Sequence, residues 1–240
     1  EPVNGGTGWK PSPKPDSPKW FSGNFEGDSY NSSSIIISFR RASEMKYEHF
    51  LNKLAMFCTR NREEKEKKGV AGTLCHCELL LQTSPNVWYA YSINKMTGTW
   101  DNEANKITKL EPGFVHCKIV NDMHQYTHCA LQIPRETQSK IFEFLENQTK
   151  KPFNLWGYVL SIIPGFSWGV RHGAYLGNGG SRVKCWFCTE LIVAALQYAR
   201  VQGFETMVPS NSNPNSVFRT CLTLSGCQGG GNPNMQISLK

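Results

Sequence analysis

Long uninterrupted apolar runs are missing from this sequence. The most apolar stretch, Phe153 to Val170, is broken by Asn154, Gly157, Pro164 and Gly165 and falls short of the roughly 20 residues that a spanning helix needs, so no transmembrane segment is expected. Its aromatics Trp156, Tyr158, Phe166 and Trp168 are expected in the core or at a cleft rim, with contact to a membrane interface as the alternative. Concentrated charge is also scarce. The 26 basic and 19 acidic residues leave a net +7, too diffuse to indicate specific nucleic-acid recognition. The nine cysteines are odd in number, lack the regular spacing of a disulfide scaffold and fall partly in strand-like apolar runs, so free thiols in a reducing compartment such as the cytoplasm are expected. Sequons at Asn31 and Asn147 weigh weakly toward secretion. There is no internal repeat. Nothing near Glu1 resembles a signal peptide, and a start without methionine suggests a processed, fragmentary or trimmed chain.

What is present supports one principal α+β domain. With 240 residues, 39% of them hydrophobic, the chain can bury a sizeable core without disulfides. Residues 1–33, with Pro11, Pro13, Pro15 and Pro18, read as an extended arm suited to binding a protein neighbour. Residues 34–69 read as a strand (34–39), a helix from Ser43 to Phe57 and a charged stretch from Thr59 to Lys68. The main unit is expected over 70–224, with a flexible tail over 225–240. Strands are expected near 71–82, 87–94, 113–120 and 126–133, most simply as an antiparallel meander, with Lys95 to Lys109 as an insertion. Helices are expected over Arg135 to Gln148, Asn154 to Ile163 and from Cys188 onward. The segment Gly173 to Gly180 reads as a mobile loop, and Val217 to Leu224 as an edge strand.

The chemistry concentrates in two places. In Trp186-Phe187-Cys188-Thr189-Glu190-Leu191-Ile192, the apolar positions 191, 192, 194, 195 and 198 form a helical stripe in line with Cys188. That puts the thiol on the first turn of a buried helix, where backbone amides favour a thiolate. In the strand Gly72 to Leu81, a period of two sends His76 and Glu78 to the same face. A cysteine hydrolase needs a thiolate, an imidazole, a polar group that fixes the imidazole tautomer, and donors for an oxyanion. Cys188 supplies the sulfur and one donor, His76 the base, and Glu78 the orienting group, with His128 as second choice for that last role. His116 is expected to be solvated. His172, in the loop before the cysteine, is expected at most to flank the site.

The order of these pieces resembles the circularly permuted branch of the papain-like fold. These are the NlpC-type cysteine hydrolases, with relatives among lecithin:retinol acyltransferase-like enzymes and poxvirus proteins. His76-x-Glu78-Leu79 resembles the opening strand, and Gln148 to Asn154 the segment in which Phe153 replaces an aromatic hydroxyl. Phe187 to Ile192 is similar to the nucleophile motif, and Ser212 to Val217 resembles the Pro-Asn turn after it. The resemblance covers roughly residues 70–222. It implies an antiparallel sheet packed against the cysteine helix, an acyl-thioester on Cys188, and hydrolysis or transfer of a peptide, amide or lipid ester without a cofactor. It also makes a virion an alternative location.

Two other readings compete. An inactive member of the fold could serve as a structural or virion assembly protein through its arm. Alternatively Cys75-x-Cys77 and Cys185-x-x-Cys188 could form a four-thiolate zinc module, although strand alternation turns Cys75 and Cys77 away from His76. That would draw the cysteine helix to the opposite face of the sheet.

Overall fold

Period-two runs of β-branched and aliphatic residues set up the strands of this chain, and two of them are apolar on both faces. The computed structural model describes residues 32–41, 73–84, 87–93, 96–101, 106–119, 126–160 and 177–224. The first strand, β1 (Ser32–Arg41), carries Ile35, Ile36 and Ile37 in succession, all buried. It is followed by β2 (Leu74–Ser84), β3 (Val87–Ile93), β4 (Met96–Asp101), β5 (Lys106–Pro112), β6 (Val115–Ile119) and β7 (Thr127–Pro134). Five of these form one antiparallel sheet in the order β6-β3-β2-β1-β7. The expected insertion at Lys95 to Lys109 is largely a separate two-stranded ladder, β4 with β5.

A simple meander describes only β1, β2, β3 and β6. Instead of pairing with β6, β7 crosses to the far side of β1. The cause lies in β1 itself: a strand with large aliphatics on both faces gains most from a central position, covered on both sides and paired at both edges. Thus β1, grouped by sequence with residues 34–69, shares one core with the region after residue 70.

Among the described residues five α-helices follow: α1 (Arg135–Gln148), α2 (Leu155–Leu160), α3 (Gly177–Gly180), α4 (Cys188–Tyr198) and α5 (Pro214–Leu224). The main core joins Ile35, Ile37, Phe39, Leu79 and Leu81 on the sheet to Ile141, Phe144 and Leu145 of α1, most of α4, and Val217 and Cys221 of α5. Each such aliphatic contributes about 1.5–3 kcal/mol by leaving water. On the sheet's other face a smaller cluster of Ile36, Leu80, Trp88 and Ala90 packs with Tyr126 and Ala130. Residues 188–197 are buried all round, so α4 lacks the single stripe that its sequence suggests.

The segment expected as an edge strand is α5. Its aromatic and β-branched residues favour a strand locally, yet Pro214 starts a helix behind Asn213. The Asn213 side chain accepts from the Ser216 N–H at 3.0 Å, and Ser216 Oγ accepts from the Asn213 N–H at 3.0 Å. This reciprocal cap, with Pro as first helical residue, is a helix start, and Val217 and Cys221 then recur one turn apart facing the core. The end of the Gly173 to Gly180 loop is the short helix α3. Trp156, expected in the core or at a cleft rim, is 68% exposed. Among the described residues no helix is long and apolar enough to cross a membrane. The expectations for residues 1–31, the 43–57 helix, the 59–68 stretch, His172, Phe166, Trp168 and the 225–240 tail lie outside the described residues.

Candidate active site

The site forms where β2 outruns its neighbour. Register between β2 and β3 spans Leu79–Tyr91 to Ser84–Val87, leaving Leu74 to Glu78 paired with β1 alone. Successive strand residues face opposite ways, so an open strand edge is a place that both can reach. The head of α4 arrives at this edge on the core side, and Cys188 lies with Cys77 in the main core.

The arrival of Cys188 is fixed by the segment that the sequence links to α1. Phe153 bridges Trp186 in parallel and Pro152 bridges Phe114. The Trp186 N–H donates to Pro152 O at 3.0 Å, and the Asn154 N–H donates to Trp186 O at 2.6 Å. The Trp186 indole donates to Gln148 Oε1 at 3.1 Å. Phe187 is therefore held extended (φ −116, ψ 167), and Cys188 becomes the first helical residue, whose N–H has no intrahelical acceptor. One residue on, the Thr189 hydroxyl donates to Ser212 O at 2.9 Å. On the strand side, Asn215 at the start of α5 grips Leu74 twice, accepting from its N–H and donating to its carbonyl, both at 3.2 Å. Leu74 is two residues from His76, so α5 holds the free end of β2 in place.

Cys188, His76 and Glu78 are brought together. The Cys188 sulfur interacts with the His76 ring and with both the thiol and the backbone N–H of Cys77. His76 Nε2 lies 3.0 Å from Ser92 Oγ and 3.4 Å from Glu78 Oε1. The same Glu78 oxygen accepts from Lys118 Nζ at 3.0 Å and from the Tyr126 hydroxyl at 3.3 Å. Glu78 is almost fully buried, and its Oε2 has no hydrogen-bond partner.

Electrostatics follow from these contacts. The hydrogen bond from Cys77 and the contact with His76 outweigh burial and hold the Cys188 thiol well below its ordinary range. Burial alone would lower His76, but its bonds to Cys188 and Glu78 raise it from 6.5 to about 9. Burial would raise Glu78, yet His76 and then Lys118 bring it down to about 2. Cys77 moves the other way: burial, the bond to Cys188 and neighbouring negative charge keep it protonated. These directions favour a thiolate at 188 beside an imidazolium at 76 and a carboxylate at 78.

His128 sits elsewhere. It pairs in register with Ser38, whose other partner is Glu78, so it is two strands from β2, roughly 10 Å at ordinary spacing. Its Nδ1 lies 2.8 Å from Ser38 Oγ and its ring stacks on Tyr126. It shares the polar face of the sheet with Glu78 and contacts Ser38 where an orienting role required His76. His116 is half-buried where solvation was expected; burial lowers it, and its Nδ1 lies 3.2 Å from Phe114 O.

Sequence reasoning missed Ser92, Lys118 and Tyr126, which reach Glu78 and His76 across the sheet, and it missed Asn215. Only the Asn213-Pro214 helix start offered a local signal, for Asn215. Alternation does turn Cys77 away from His76, but α4 packs on the Cys77 face of the sheet, where the sequence placed it on the His76 side. Even so, among the described residues no three His, Cys, Asp or Glu side chains are arranged to hold a metal ion, so Cys75, Cys77, Cys185 and Cys188 do not assemble the four-thiolate site. The seven described cysteines are free thiols. No family model, curated protein or solved structure matches the chain.

Proposed function

We propose that this protein is a thiol hydrolase or acyltransferase of the permuted papain-like type, acting on an amide or ester through an acyl-thioester on Cys188. One observation carries the reading: the sulfur, the His76 ring and the Glu78 carboxylate form one continuous interacting chain at the head of a buried helix. The order of parts supports it as well, with the histidine strand first and the cysteine helix later.

In this mechanism the proton has already moved from Cys188 to His76 before substrate arrives. The thiolate attacks the carbonyl carbon, and the developing oxyanion takes the Cys188 N–H at the helix start, where the backbone is positively polarised. His76 Nε2 is engaged by Ser92 and Glu78, which leaves Nδ1 to serve the sulfur and then to protonate the leaving group. Glu78 stabilises the imidazolium, and Lys118 and Tyr126 fix Glu78. Water or a second acceptor, deprotonated by the now neutral His76, then releases the acyl group from the thioester. The working window runs from the depressed thiol up to about 9, where the imidazolium loses its proton.

The test is covalent labelling with an electrophilic acyl probe. Cys188→Ala and His76→Ala should each abolish labelling in protein that keeps the wild-type circular dichroism. A Cys188→Ala protein that labels as well as wild type defeats the proposal.

A further inference from the structure

We infer that Cys77 and Cys188 form an oxidative modification site, in which a hydroperoxide oxidises Cys188 and Cys77 resolves the product as a reversible disulfide. The inference rests on the activated sulfur of the proposed site and does not depend on hydrolysis. Both residues belong to one core cluster, Cys77 on the core face of β2 and Cys188 at the head of α4, and their side chains are in hydrogen-bond contact. The β2 edge is uncovered by β3 at this point, so the Cys77 N–H also points to the same sulfur.

The two thiols are unlike. His76 and the Cys77 donors favour the ionised form at 188, whereas burial and the adjacent negative charge keep 77 protonated. Attack on a peroxide needs a thiolate, and resolution needs a second thiol within reach. A second pair, Cys129 of β7 and Cys221 of α5, is also in contact, but the influences on it are burial and the two thiols' own groups, with no imidazole. It therefore serves as an internal comparison.

The steps balance. The Cys188 thiolate attacks the peroxide O–O bond, forming S–O and releasing hydroxide, which takes the His76 proton to become water. Cys77, losing its proton, then attacks the sulfenic sulfur; the S–O bond breaks and a second water leaves. The two thiols lose two electrons and the peroxide gains them. A dithiol reductant reverses the change by thiol–disulfide exchange. Such a bond would remove the thiolate from catalysis while shielding it from irreversible oxidation.

The experiment treats the full chain with one equivalent of hydrogen peroxide and follows intact mass, non-reducing peptide maps and iodoacetamide labelling of Cys188. Expected are loss of two hydrogens, a linked Cys77–Cys188 peptide, and loss of labelling that dithiothreitol restores. In Cys77→Ser the linked peptide should vanish, and Cys188 should accumulate oxygens with labelling that the reductant no longer recovers. The wild-type map decides alone if that variant fails to fold. Oxygen addition at Cys188 without the link, or a first disulfide at Cys129–Cys221, overturns the inference. If the acyl probe still labels Cys188 in that case, the hydrolase reading survives; if Cys188 neither labels nor oxidises, both fall.

Discussion

Replacing Glu78 with Gln removes one charge from the buried chain of contacts while keeping its shape. Its carboxylate lies 3.4 Å from His76 Nε2, and it is one of two groups that hold the imidazole at about 9 against burial. An opposite charge at such range commonly moves a pKa by 1–3 units. The Cys188 contribution and the Ser92 bond persist in the variant. The His76 pKa should therefore fall by about 1–2 units, a weakening of the imidazolium by about 1.4–2.7 kcal/mol. The assay is NMR titration of the ring protons, with the His76 resonance assigned by its absence in His76→Gln. Wild type should show one imidazole titrating near 9, and Glu78→Gln the same resonance well below it. An imidazole that titrates at its ordinary value in wild type, or one unmoved by the substitution, refutes the reasoning. Stability should change in step. Glu78 is depressed from 4.5 to about 2, so its contribution is present above 4.5 and lost as pH falls through about 2; at 1.36 kcal/mol per unit it is on the order of 3 kcal/mol. His76 is raised, so its share is full below 6.5 and lost as pH rises through about 9. Wild type should thus lose stability at both extremes, and Glu78→Gln should flatten both limbs of a melting-temperature profile.

Asn215→Ala strips two bonds from the Leu74 backbone and leaves buried groups unpaired, at about 1–3 kcal/mol each; urea unfolding should show this loss, and probe labelling of Cys188 should slow because the His76 end of β2 is released. Gly203→Ala acts through the backbone. Gly203 has φ +89, and a Cβ there would lie 2.5 Å from Leu224 Cδ2, so a penalty of about 1–3 kcal/mol is expected, read as a lower melting temperature with the labelling rate unchanged.

Elements whose signal is local are legible in the sequence. The α1 span, the same-face placement of His76 and Glu78 on β2, and the start of α4 at Cys188 follow from periodicity and end signals within a few residues. Local preference misleads at 217–224, where β-branched side chains suggest a strand and only the Asn213-Pro214-Asn215-Ser216 cap reveals a helix. The apolar run Ile35-Ile36-Ile37 contains the signal for a central strand, but the neighbours of β1 cannot be read from it.

The chain's sequence alone determined which side chains are nucleophilic or titratable by type and which secondary structure holds most of them, since helix and strand periods are short-range properties. Tertiary structure decided the rest: that β1 separates β2 from β7, that β3 stops short of His76, that Ser92 meets the His76 ring, and that Lys118 and Tyr126 converge on the Glu78 carboxylate. It also docked α4 on the Cys77 face of β2, so that His76, on the opposite face, reaches Cys188 only at the open strand edge. Those outcomes depend on register, crossover and helix docking between residues up to 141 positions apart, and energies of that kind arise only when distant surfaces meet.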